Sequence, residues 1–168
     1  KKMKVTLYVY DLSMGIAKQL SQQFTGKQFD GIYHTGIVVE GVEYFFGGGI
    51  QKLAAGMTPY GTPIRKVELG NTEKTREQFE EWVKNMGDTK YRLDNYDLFT
   101  NNCNNFTQDA AQFLVNQNIP DDIRNLPQEF FETPMGQMIR PMVDQMMGGV
   151  RQQQQQQQHQ NNQQQPNL

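Results

Sequence analysis

The sequence predicts an α+β fold with a largely antiparallel sheet. Two observations carry this prediction: β-rich segments fill the first half of the chain, and segments with helical periodicity follow them. Of the 168 residues, about 150 precede a glutamine-rich end, which is enough for one domain with a stable core. We therefore assign residues 1–148 to one folded domain. Residues 149–168 are predicted to be a disordered Gln/Asn-rich tail, because that composition buries no apolar surface.

Four segments rich in β-branched and aromatic residues are predicted as strands: Val5–Tyr10, Tyr33–Val39, Val42–Phe46 and Ile64–Leu69. Glu40 and Gly41 separate the second and third segments and predict a hairpin turn. Gly47, Gly48 and Gly49 then end the third strand. They form either a plain strand terminus or the wall of a cleft that a substrate backbone can approach closely.

Three later segments have apolar residues at helical spacing. Their apolar faces are Phe79, Trp82, Val83 and Met86 in the first, Phe106, Ala110, Phe113 and Leu114 in the second, and Met135, Met138, Ile139, Met142, Val143 and Met146 in the third. Thr75 and Gln78 predict a capping box for the first helix, and Gly87 is predicted to end it. Thr133 and Pro134 predict the start of the third helix. Helices are thus expected to flank the sheet.

Charge and composition exclude several classes of function. Sixteen Lys and Arg against 18 Asp and Glu give a net charge of −2, and no basic stripe forms, which argues against nucleic-acid binding. The most apolar stretch, Ile37–Ile50, contains Glu40 and Glu43 and is too short for a membrane span. The apolar run that follows the first lysines is too short for a secretory signal. We therefore expect a cytosolic or nuclear, reducing setting.

The cysteine and histidine inventory limits the chemistry. One cysteine, Cys103, excludes an intramolecular disulfide and a thiolate zinc site. The two histidines are His34 and His159, and His159 lies in the glutamine tract. The inventory therefore excludes a Cys/His metal cluster but not an all-carboxylate magnesium or calcium site. We predict no metal and no cofactor.

A thiol nucleophile needs a base, and Cys103 and His34 are the pair that the folded part offers. His34 starts a stiff strand, which holds an imidazole in one orientation. Cys103 lies directly before a helix, where the dipole favours a thiolate and free N–H groups can bind an oxyanion. Asn102 and Asn104 could orient the base or donate to the oxyanion. A buried structural cysteine and a structural histidine fit the same pattern, and composition and spacing leave both interpretations open.

Five blocks of sequence, in order along residues 4 to about 147, resemble the PPPDE peptidases: VTLYVYDLSMGIAKQLS, GIYHTGIVV, EYFFGGGI, YDLFTNNCNNF and LPQEFFETPMGQMIRP. These are cysteine peptidases with a permuted papain-like fold, also called desumoylating isopeptidases. The resemblance implies that His34 is the base and Cys103 the nucleophile, and that Tyr33 keeps an aromatic wall beside the histidine. It further implies removal of a small ubiquitin-like modifier (SUMO or ubiquitin) from lysine, a homodimer, and a location in cytoplasm and nucleus.

Two other functions fit the same residues. HTGIVV and NCNNF are also similar to lecithin–retinol acyltransferase and NlpC/P60-like families, so a protein S-acyl thioesterase (a depalmitoylase) with the same dyad is one alternative. Those acyltransferases typically carry Glu and His at the positions of Asn104 and Asn105. The second alternative is a dimeric adaptor whose methionine-rich groove, including Met138 and Met142, binds a partner.

Overall fold

The computed structural model describes residues 2–19, 31–124 and 131–147, which contain a five-stranded, fully antiparallel sheet. Its strands are β1 (Met3–Asp11), β2 (Tyr33–Val39), β3 (Val42–Phe46), β4 (Ile50–Ala54) and β5 (Arg65–Thr72). The order across the sheet is β4-β3-β2-β1-β5, so β2 is the central strand. The α+β prediction, with its antiparallel sheet and flanking helices, is confirmed. The predicted tail lies outside the described residues.

β4 is an edge strand that the sequence did not predict. Its sequence, IQKLA, is short, and most of its residues are exposed. It pairs with β3 along its whole length, from Phe46 opposite Ile50 to Val42 opposite Ala54. The glycines between these strands are therefore a hairpin turn. Gly48 and Gly49 adopt φ of +75° and +85°, a backbone conformation that favours glycine.

The helices are α1 (Arg76–Asp88), α2 (Cys103–Val115) and α3 (Asp121–Arg124), with a 3₁₀ turn at Leu93–Asn95 and a further helical segment over 134–147. The capping box of Thr75 and Gln78 is confirmed. The prediction that Gly87 ends α1 is wrong, because the helix runs through Asp88 and Thr89 caps it. Gly87 is instead the second-last residue of the helix and lies beside Ile50 of β4, where an added Cβ would make an ordinary contact at 3.7 Å.

The main core lies between one face of the sheet and helices α1 and α2. Alternate residues of β1 and β2, such as Leu7 and Ile37, contribute side chains that are fully buried, as does Phe106 of α2. Burial of each such side chain is worth roughly 1.5–3 kcal/mol. This core fixes α2 against the central strands and so fixes the position of its first residue, Cys103.

A second apolar cluster surrounds Cys103, and the 134–147 segment covers it with Val143 and Met147. Two residues expected on the buried face of that segment, Met138 and Met142, are instead 70% and 42% exposed. The inward face follows i, i+4, i+8 through Ile139, Val143 and Met147, which leaves Met138 and Met142 on the outer side. In the described part of the chain, no helix has both the length and the apolar character to cross a bilayer.

Candidate active site

The N-terminus of α2 takes the place of β3 beside the first half of β2. β2 pairs with β3 through Ile37–Val39. Along the earlier residues, the Asn104 side chain donates a hydrogen bond to the Tyr33 carbonyl (Nδ2 to O, 3.0 Å). The backbone N–H of Thr35 points at the Cys103 sulfur. The Cys103 thiol therefore lies at the edge of β2, beside the peptide bond that joins His34 and Thr35.

A buried hydroxyl and amide network locks α2 in this place. Thr35 Oγ1 donates to Asn104 Oδ1 at 2.8 Å and shares a 2.6 Å hydrogen bond with Thr107 Oγ1. Because residues alternate along β2, the Thr35 side chain faces α2 while the preceding His34 ring faces the opposite side of the sheet. Asn104, a candidate for orienting the base, is therefore engaged with the strand and does not hydrogen-bond His34.

Asn102 is the N-cap of α2. Its Oδ1 accepts hydrogen bonds from the backbone N–H groups of Asn104 and Asn105, and the Asn105 side chain accepts from the Asn102 N–H in return. Its Nδ2 donates to the Leu98 carbonyl at 2.7 Å. The Asn102 side chain thus stabilises the start of α2 and the loop that precedes it. The first backbone N–H of α2, that of Cys103, lies beside the sulfur itself.

His34 lies among aromatic rings. Tyr60 stacks on the imidazole with ring centroids 3.6 Å apart and planes inclined by 27°. Tyr10 and Phe45 lie on its other sides, each with its ring centroid 5.7 Å from that of His34. Neither ring nitrogen has a hydrogen-bond partner among the described residues. Burial lowers the pKa of His34 to about 3, so the imidazole is neutral in this conformation.

Cys103 is fully buried, and its thiol donates weakly to Asn104 Oδ1 at 3.7 Å. Burial raises the pKa of the thiol to about 12, and N–H groups of Thr35, Asn104 and Cys103 lower it by less. The direction is opposite to the one expected from the helix dipole. The structure thus brings Cys103 and His34 to one strand end without a hydrogen bond between them, and both groups are neutral and buried.

Tyr60 is the functional candidate that sequence reasoning missed, because it lies in an irregular loop, TPYGTP, with no periodic pattern. Its hydroxyl is buried and unpartnered among the described residues. A Cβ added to Gly47 would lie 2.8 Å from this hydroxyl and 3.1 Å from the Met147 carbonyl. Gly47 therefore lies against Tyr60, whereas Gly48 and Gly49 make the turn that follows.

Tyr33 takes a different position from the one expected. Its side chain is partly buried against the main core, on the sheet face opposite the His34 ring. The aromatic wall beside the histidine is formed by Tyr60 instead. Within the described ranges, no group of three or more His, Cys, Asp or Glu side chains could hold a metal ion.

The structure places the Cys103 thiol at a helix N-terminus, against the central strand that carries His34. The family model described as "PPPDE putative peptidase domain" matches residues 3–144. The chain belongs to the PPPDE peptidase family. It is therefore a cysteine-type peptidase, and its antiparallel sheet with flanking helices is the permuted papain-like fold of that family.

Known relatives carry names of one kind. Desumoylating isopeptidase 1 of Homo sapiens is 47% identical over 143 residues, which cover 84% of this chain and 85% of the human protein. The Xenopus laevis protein of the same name is 44% identical over the same shares. The desumoylating isopeptidase 1 homolog of Caenorhabditis elegans is 30% identical over 106 residues, 57% of this chain and 31% of its own length.

Proposed function

We propose that this protein is an isopeptidase that removes SUMO or ubiquitin from lysine side chains, with Cys103 as nucleophile and His34 as base. One observation carries the assignment of residues: the sole cysteine sits at the α2 N-terminus against the Thr35 N–H, one residue beyond His34. The names of the relatives support the substrate class, since they describe removal of SUMO.

The reaction proceeds in two halves. A ring nitrogen of His34 takes the thiol proton, and the Cys103 sulfur attacks the carbonyl carbon of the modifier's terminal glycine. When the tetrahedral intermediate collapses, the bond to the lysine nitrogen breaks and His34 gives its proton to that amine. A thioester remains. His34 then deprotonates a water molecule that attacks the thioester, which releases the modifier's carboxylate and restores the thiol.

The start of α2 is where the oxyanion binds. The backbone N–H of Cys103 is the first donor of the helix and lies beside the sulfur. The Asn104 backbone N–H already bonds the cap oxygen of Asn102. We therefore assign the oxyanion hole to the Cys103 N–H, with Asn102 and Asn104 holding the helix start in place.

The test is cleavage of SUMO and ubiquitin conjugates in which the modifier is joined to a lysine side chain. We expect release of free modifier by the wild type and none by Cys103→Ala or His34→Ala. Met57→Ala, a change at a side chain that is 72% exposed, is the matched control and should cleave normally. Cleavage by folded Cys103→Ala would contradict the proposal.

A protein S-acyl thioesterase is the second candidate, and one observation favours it. The surroundings of Cys103 are apolar, with Leu12, Ile32, Val143 and Met147 in the same buried cluster. Apolar surroundings of this kind suit an acyl chain as well as a glycine tail. Release of palmitate from an S-palmitoylated peptide, without cleavage of the modifier conjugates, would decide for the thioesterase.

We also propose a homodimer in cytoplasm and nucleus. Met138 and Met142 are exposed apolar side chains one turn apart on the same outer face, and a subunit contact would cover them. Light scattering coupled to gel filtration should give twice the chain mass for the wild type and a monomer for Met138→Asp. If Met138→Asp abolishes binding to a partner protein while Cys103→Ala preserves it, the adaptor alternative is favoured.

A further inference from the structure

The proposed dyad is closed to solvent, and Tyr60 is the group that closes its histidine. His34 and Cys103 both have 0% exposed surface. The Tyr60 ring stacks on the imidazole, with the ring centroids 3.6 Å apart. The same ring packs against the apolar cluster that contains Cys103, beside Val143 and Met147. While it stays there, it restricts access to both groups of the dyad.

The closed arrangement leaves polar atoms unsatisfied. The Tyr60 hydroxyl and both His34 nitrogens are buried without a hydrogen-bond partner among the described residues. Buried donors and acceptors in this state cost free energy that solvent or a ligand would return. The closed state therefore competes with one in which the Tyr60 ring has moved away.

The loop that carries Tyr60 has the features of a segment that can move. It is anchored at its start, where the Gly56 N–H donates to Glu43 Oε1 at 3.0 Å. Gly56 and Gly61 flank the segment with φ of +80° and +87°, values that favour glycine. Beyond the anchor, Met57 and Ile64 are 72% and 61% exposed, so the packing of the loop rests mainly on the Tyr60 ring itself.

We propose that Tyr60 determines substrate specificity by gating the dyad: the substrate's acyl group must displace its ring from His34, and the vacated slot admits an acyl residue without a side chain. The space that the ring would vacate lies against the His34 imidazole on one face and against Gly47 at the hydroxyl end. A planar glycyl peptide unit fits that space, whereas a Cβ projects out of the plane. The statement about the acyl residue rests on the proposed function, but the gating of Cys103 does not.

Access is tested by alkylation of the sole cysteine with iodoacetamide at pH 8, followed by mass spectrometry. We expect Tyr60→Ala to react roughly tenfold faster than the wild type or more, because the ring no longer covers the dyad. Tyr60→Phe keeps the ring and should stay within about threefold of the wild type. Met57→Ala, in the same loop, should leave the rate unchanged. A Tyr60→Ala protein that reacts no faster than the wild type overturns the gate.

A second variant tests the gate without removing the ring. Gly47→Ala places a methyl group against the Tyr60 hydroxyl, at the 2.8 Å contact. It should therefore expel the ring and speed alkylation. In the Tyr60→Phe background the closest contact is gone, and the added methyl group should have a smaller effect. An equal effect of Gly47→Ala in both backgrounds contradicts the contact with Tyr60.

Specificity is tested with fluorogenic peptides that end in Gly-Gly or in Gly-Ala before the leaving group. The wild type should have a much higher kcat/KM for the Gly-Gly peptide than for the Gly-Ala peptide. Tyr60→Ala should lose most of this ratio. An unchanged ratio overturns the specificity role. Faster alkylation of Tyr60→Ala with no cleavage of any peptide or conjugate would refute the proposed function while the gate stands.

Discussion

The reactivity of Cys103 against pH is the most direct consequence of the buried site. Burial raises the pKa of its thiol to about 12, and burial also keeps His34 neutral by lowering its pKa to about 3. The resting protein should therefore hold a thiol and an imidazole rather than a thiolate and an imidazolium. Only the thiolate reacts with an alkylating reagent at an appreciable rate.

The magnitude follows from the two pKa values. At pH 8, a thiol with a pKa of about 12 is ionised in one molecule in roughly 10⁴, whereas a free cysteine with a pKa near 8.5 is ionised in about one in four. Alkylation of Cys103 should thus be slower than that of a model thiol by roughly three orders of magnitude. Its rate should rise about tenfold per pH unit, without a plateau between pH 6 and pH 10.

The assay is a series of alkylation rates with iodoacetamide over that pH range, and the single cysteine makes the label unambiguous. His34→Gln should leave the slope unchanged, since the imidazole is neutral and does not bond the thiol. Cys103→Ser is the blank. A fast plateau near pH 6 in the wild type that disappears in His34→Gln would refute the reasoning, because it would show an ion pair already formed.

Further predictions concern the stability of the fold. Asn102→Ala should lower the free energy of unfolding by about 1–2 kcal/mol, and Thr75→Ala, at an exposed cap, by about 0.5–1 kcal/mol, as urea titrations would show. Gly36→Ala should cost about 1–3 kcal/mol or more in the same titration, because the new Cβ would lie 2.5 Å from Glu43 Oε2; a neutral effect would disprove that contact. In acid, the unfolded chain protonates His34 below pH 6.5 while the folded chain does not until about pH 3, so stability falls through that window. The loss at pH 4.5 should be about 2–3 kcal/mol and should be missing in His34→Gln.

The parts of the fold that follow periodic patterns could be predicted from the sequence. β2 and β3 have the predicted bounds, and the Thr75 cap lies where the capping box indicated. β4 could not be predicted, since an exposed edge strand needs backbone pairing rather than an apolar face. The end of α1 could not be predicted to the residue, because one more helical residue, Asp88, follows Gly87 before the Thr89 cap.

For the site, the sequence indicated the two reactive residues but not their surroundings. Cys103 and His34 follow from the inventory of residue types, since the folded part has no other cysteine or histidine. Tyr60 could not be found in this way, because its place on the imidazole depends on a loop that is anchored from another strand by Glu43. From the sequence, the Asn102 and Asn104 side chains are candidates to orient the base or bind the oxyanion. In the structure they hold the start of α2 in place.

The helix dipole and burial shift the pKa of Cys103 in opposite directions, and burial is the larger effect. A helix N-terminus stabilises an adjacent negative charge by about 0.3–1 kcal/mol, and by up to about 2 kcal/mol in partly buried geometry, which corresponds to roughly one pKa unit. Burial shifts the pKa of this thiol from 9.0 to about 12, three times as far and in the other direction. The dipole therefore cannot activate the thiol while the pocket is closed. Activation has to come from opening: once the Tyr60 ring leaves His34, water and the substrate's polar groups reduce the cost of burial. The dipole, the Thr35 N–H and a reoriented imidazole then all favour the thiolate.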